Sequence, residues 1–184
     1  GYLLHIAMKS GDVWAVRGMW LYLFGMLASY ITSTWYHSSR PDTRHREVLR
    51  KFDHAAIYLH IAGSYSPIML VSLREAGYWG WGIFSFVWLC AFIGTTLCFC
   101  RLKEHSYLET ICYIAMGCSI FVAFKPLCNH VPSLFIDWLI AEGISYITGA
   151  VFYSFHKLPY MHSVFHLFVL GGTICHMIAL WYIL

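Results

Sequence analysis

The chain has 184 residues, 59% of them hydrophobic and 11% charged, with a mean hydropathy of +0.61 and a formal net charge of +3. That is far more apolar than the half-apolar, quarter-charged mix of a water-soluble domain, and no basic block is long enough to follow a nucleic acid backbone. Soluble and nucleic-acid-binding classes are excluded, and residues 1–184 are expected to form a single transmembrane domain.

Apolar runs of about twenty residues can cross the hydrocarbon layer as helices, and they lack the strict alternation of barrel strands. The class is therefore all-α and polytopic. Seven cysteines form no CxxC pair and nearly all fall within apolar runs. They read as small core residues, not as a disulfide framework.

In chain order, Gly1 to Met8 is an apolar scrap too short to cross a bilayer, read as the tail of a helix whose beginning is missing from this sequence. A first span is expected from Trp14 to Tyr36, ending on His37, followed by a polar segment from Ser38 to Lys51. The second span opens on Asp53 and runs to about Leu73, and the third covers Tyr78 to Cys100. The fourth covers Tyr107 to Phe124, the fifth Pro132 to Phe155 and the sixth His162 to Leu184. Short connections make consecutive helices antiparallel neighbours in one bundle.

The loops after the first, third and fifth spans hold eight basic residues (Arg40, Arg44, Arg46, Arg50, Lys51, Arg101, Lys103 and Lys157) against four on the other side (Lys9, Arg17, Arg74 and Lys125). The positive-inside rule puts the first side in the cytoplasm, so with the truncated helix there are seven crossings and a cytoplasmic amino terminus. His37, Asp53, His162 and His166 then lie at similar depth near the cytoplasmic face.

His162 and His166 are four residues apart, so both imidazoles lie on one helix face and can reach one metal ion. The third ligand is expected at His37, which also sits where an apolar run meets a polar loop. Three imidazoles with an open fourth position suit catalytic zinc, which makes bound water acidic near pH 7. The bland reading of these histidines is polar anchoring at the membrane interface.

Asp53 is read both as an acid–base group beside the metal and as an N-cap, since either fits an aspartate at a membrane helix start. Ser33, one turn before His37, can turn its hydroxyl to the same site or simply pack between helices. His176 lies ten residues beyond His166, about 15 Å along the axis, too far to share the metal. His5, His54 and His60 read as core or interface histidines. Glu142, mid-span, is a costly carboxylate to which the sequence assigns no partner.

Five ordered motifs make a family recognisable: Ser33-Thr-Trp-Tyr-His37, Lys51-Phe-Asp53-His-Ala-Ala-Ile57, Ile61-Ala-Gly63-Ser-Tyr-Ser-Pro67, Tyr146-Ile-Thr-Gly149-Ala-Val-Phe-Tyr153, and His162-Ser-Val-Phe-His166-Leu-Phe-Val-Leu-Gly171. Together they resemble the hemolysin III branch of the progestin and adipoQ receptor superfamily. The resemblance implies a seven-helix bundle with an intracellular amino terminus and a zinc ion held by three histidines near the cytoplasmic face. Carried onto this chain, the ligands fall on His37, His162 and His166, with Ser33 and Asp53 as the other polar residues of the site. The adiponectin receptors of this superfamily are linked to ceramide hydrolysis, and bacterial members carry a cytolysin name and a link to membrane lipid homeostasis.

The expected function is a zinc-dependent hydrolase of lipid amides such as ceramides, with Asp53 taking a proton from water and Ser33 holding water or the oxyanion. Two non-enzymatic readings stand beside it, a membrane lipid or fluidity sensor with structural zinc and a pore-forming cytolysin. A third, bis-histidine haem, needs His60 and His176 opposed at one depth.

Overall fold

The computed structural model describes residues 1–40, 43–101, 107–154 and 160–184, with the side chains of Arg101, Tyr107, Leu108 and His162 outside the description. The described elements are α1 (Tyr2–Ser10), α2 (Val13–Ser38), α3 (Arg44–Pro67), α4 (Trp79–Arg101), α5 (Tyr107–Gly117), α6 (Phe124–Cys128), α7 (Ser133–Ser154) and α8 (Met161–Trp181). A π-helical turn, Ile68–Ser72, continues α3, and a 3-10 segment, Cys118–Ala123, joins α5 to α6. No strand occurs among the described residues. The chain is an all-α membrane protein.

Five described stretches are long and apolar enough to cross a bilayer: Arg44–Ser72, Trp79–Cys100, Glu109–Cys128, Ser133–Ser154 and Ser163–Trp181. The fourth span thus runs past Phe124, through the 3-10 turn, to Cys128. Helix α2 has 26 residues, but Arg17 and its many indole and phenol groups keep it outside those five. It still presents Trp20, Phe24, Leu27, Ile31 and Trp35 outward at three- and four-residue spacing, each about half exposed. In water such a stripe would be a sticky patch, whereas lipid tails cover it at no cost.

One boundary differs in a way that matters. Helix α3 begins at Arg44, nine residues before Asp53. Thr43 caps it by accepting the Arg46 N–H at 3.2 Å, with Glu47 in the first turn favouring the positive end of the helix dipole. Asp53 therefore lies inside the helix and is not its N-cap. The charged stretch before it is helix standing proud of the apolar layer.

Helices α2 and α3 form the tightest pair and keep one antiparallel register along their length. Gly18 meets Pro67, Gly25 meets Leu59 and His60, and Gly63 meets Leu21 and Tyr22. A Cβ on Gly18 would come within 2.7 Å of Pro67 Cα, and one on Gly63 within 2.8 Å of the Leu21 carbonyl oxygen. Small residues let the backbones touch, as dispersion packing between membrane helices requires. The same register carries Ser33 to Asp53 and Ser39 to Arg46. Pro67, lacking an N–H, breaks the α-helical ladder just where the π turn starts.

Helices α7 and α8 form a second close pair. Ser145 donates to the Phe168 carbonyl at 2.7 Å, Phe152 stacks on Phe168 with centroids 5.4 Å apart, and Gly149 and Gly172 admit Phe168 and Tyr146. At the end of the bundle away from His37, Arg17 and Arg74 lie over the Trp14 ring at 4.7 and 5.5 Å, and Trp81 meets its edge. Such aromatic and cationic anchors mark a membrane–water boundary.

Candidate metal centre

The site lies where the end of α2, the early part of α3 and the start of α8 converge. His37 and His166 meet edge to face, their ring centroids 5.2 Å apart at 84°. Tyr36 flanks His37 at 4.8 Å and Phe165 flanks His166 at 5.3 Å. From α3, Arg46 lays its guanidinium over Tyr36 at 4.8 Å and donates to the Ser39 carbonyl at 2.8 Å. That clasp holds the last turn of α2, and with it His37.

Ser33 faces Asp53 across the α2–α3 contact with its hydroxyl directed at the carboxyl. His37 is exposed, while Ser33, Asp53 and His166 are half-buried, so the site opens at one end of the bundle. His162 precedes His166 by one helical turn, and its side chain lies outside the described residues. Among the described residues no three His, Cys, Asp or Glu side chains converge on one point. What is described is a pair of imidazoles with a hydroxyl and a carboxyl close by. Two nitrogen donors of this kind suit a borderline cation such as zinc, and the neighbouring carboxyl suits an outer-sphere partner.

Two polar pairs lay beyond sequence reasoning. His54, next to Asp53, places Nδ1 2.6 Å from Glu109 Oε2, and the Tyr113 hydroxyl donates to the His54 carbonyl at 3.0 Å. This ties α5 to α3 directly behind Asp53. The only signal was a carboxylate at the head of an apolar run. The second pair supplies the missing partner of Glu142: His176 donates Nδ1–H to its Oε2 at 2.8 Å, both side chains being buried.

His176 is held there by α7, away from the His37–His166 pair, as its distance along α8 requires. His60 does share its depth, since Tyr22 packs against both rings, with centroids 6.4 and 5.0 Å away.

A multi-pass helical bundle whose histidines, serine and aspartate gather at one end of its helices is a polytopic membrane protein with a polar centre at that end. The family model described as "Haemolysin-III related" matches residues 2–177. The chain is 39% identical over 170 residues to Hemolysin-3 of Bacillus cereus, covering 91% of this chain and 75% of that protein. It is 33% identical over 172 residues to a Hemolysin-3 homolog of Bacillus subtilis, with 94% and 79% covered. It is also 33% identical over 184 residues to the monocyte to macrophage differentiation factor of Homo sapiens, with 97% and 74% covered. No solved structure matches it. The chain belongs to the hemolysin III family of the progestin and adipoQ receptor superfamily.

Proposed function

We infer that this chain is a zinc-dependent hydrolase of lipid amides, ceramides or other N-acyl lipids, serving membrane lipid homeostasis. The observation that carries the reading is the edge-to-face meeting of His37 and His166 beside Ser33 and Asp53. His37, His162 and His166 would hold the zinc, which when bound would acidify water and polarise the amide carbonyl. In this reading Asp53 would take the proton of the attacking water and return it to the leaving amine. Ser33, aimed at that carboxyl, orients it and can donate to the oxyanion. The outward apolar faces of α2, α7 and α8 keep the site within reach of acyl chains. The split of basic residues supports an orientation with the site on the cytoplasmic side and a cytoplasmic amino terminus.

The test is fatty acid release from a panel of ceramides and N-acyl lipids by purified protein, beside His166→Ala. Release by the wild type alone is expected. Equal release by both would assign the hydrolysis to contamination.

The name Hemolysin-3 of the Bacillus cereus relative favours a second reading, lysis of membranes by a pore or similar lesion. Dye leakage from vesicles that persists in His166→Ala would select it.

A further inference from the structure

The half of the bundle away from His37 holds a second polar cluster that the proposed hydrolysis does not use. Tyr22 of α2, His60 of α3, Glu142 of α7 and His176 of α8 are all buried, His176 to 2% exposure and Glu142 to 8%. Among the described residues, the Glu142–His176 contact is the side-chain hydrogen bond within the cluster. Among the described residues, the Tyr22 hydroxyl, His60 Nε2 and His176 Nε2 have no hydrogen-bond partner, and all three are shut off from solvent. Orphaned polar atoms of this kind are rare in a packed interior, and one internal water commonly serves about three of them.

Below this cluster the polar groups continue. Tyr30, whose ring lies 6.0 Å from that of His60, donates to Thr173 Oγ1 at 2.9 Å. The Tyr146 hydroxyl is 3.3 Å from the same oxygen, and Thr173 in turn donates to the Val169 carbonyl at 3.0 Å. On each of three helices a group of the cluster or of the layer below it sits seven residues, two turns, from a group of the candidate metal centre: Tyr30 and His37, His60 and Asp53, Thr173 and His166. A polar file thus follows the seam between the α2–α3 pair and the α7–α8 pair.

We propose that Tyr22, His60, Glu142 and His176 form a separate intramembrane site that holds water and relays protons along this seam. With Glu142 ionised, His176 carries its proton on Nδ1 and offers the Nε2 lone pair to the water shared with Tyr22 and His60. A proton arriving through that water binds Nε2, and the dyad becomes an imidazolium–carboxylate pair of zero net charge. The Nδ1 proton then passes to Glu142 Oε2 and from there to water on the Thr173 side. The imidazole, now protonated on Nε2, recovers its first tautomer by proton exchange through water, which takes the Nε2 proton and returns one to Nδ1. One proton enters, one leaves, and the cluster is never left with a net positive charge in the apolar layer. The titratable groups outside the cluster that feel the Glu142 charge are Tyr65 of α3, Tyr146 of α7 and Cys175 of α8.

The experiment reconstitutes the full-length protein in vesicles with a trapped pH dye, clamps the voltage with potassium and its ionophore, and jumps the external pH. Internal pH should relax faster than in protein-free vesicles, and Glu142→Gln should return it to the protein-free rate. Glutamine keeps an oxygen for His176 Nδ1–H, so the pair's structural contact survives. Tyr22→Phe, which removes only a hydroxyl, should slow relaxation with an unchanged circular dichroism spectrum. Wild-type protein that relaxes no faster than empty vesicles, or Glu142→Gln that relaxes like wild type, overturns the proposal.

Discussion

Gly25 of α2 lies against the backbone of Leu59 in α3, so closely that a methyl group at position 25 would run into the Leu59 carbonyl oxygen. Gly25→Ala must push the pair apart, and overpacking of this kind costs about 1–3 kcal/mol. A lowered thermal midpoint in detergent is expected. Gly143→Ala, with open space at its Cα, is the matched control and should leave the midpoint in place. Equal midpoints for all three proteins would show that the helices do not touch there.

The histidine pair makes metal content the first chemical prediction. Purified protein should carry about one zinc per chain, because three imidazoles make a sufficient set for this ion. His166→Ala should empty the site, and so should His37→Ala, whose partner it meets at 5.2 Å. Elemental analysis is the measurement. Full zinc in either variant would remove that residue from the ligand set.

Asp53→Asn separates chemistry from scaffolding more sharply now that Thr43, and not Asp53, caps α3. No helix cap is disturbed by the change. Zinc content and thermal midpoint should match wild type, while lipid-amide hydrolysis falls by about 10²–10⁴-fold, the usual loss when a general acid–base group is removed. Unaltered hydrolysis in this variant would show that the proton goes elsewhere.

Orientation can be read by labelling. A cysteine placed at Ser39, on a background free of the natural thiols, should resist membrane-impermeant reagents in intact cells, and one at Glu75 should react. The reverse pattern would put the His37 end outside the cell.

Much of the site was legible because residue types and spacing carry it. His37 ends one apolar run and His166 begins another, so both had to lie near a membrane boundary, and an even number of intervening crossings puts them at the same one. The start of α3 was not legible: Arg44, Arg46, Arg50 and Lys51 look like a loop on any hydropathy measure, yet a helix can continue into water when Thr43 caps it. Nor could the sequence pair Glu142 with His176 or His54 with Glu109. Each pairing depends on which faces of distant helices meet, and the α2–α3 register that decides part of this is set by glycines whose contacts are visible only in three dimensions.

Glu142 and His176 belong to the same helical hairpin, and this bears on how the chain enters a bilayer during synthesis. A carboxylate threaded alone into lipid is costly, but α7 and α8 are consecutive and pack closely, so each can shield the other's polar group as the two insert. The hairpin can therefore enter the membrane with that carboxyl already hydrogen-bonded, before α2 and α3 come alongside. Loss of His176 would then be felt first by the translocation machinery, as Glu142 left exposed to hydrocarbon, and only later by the finished bundle.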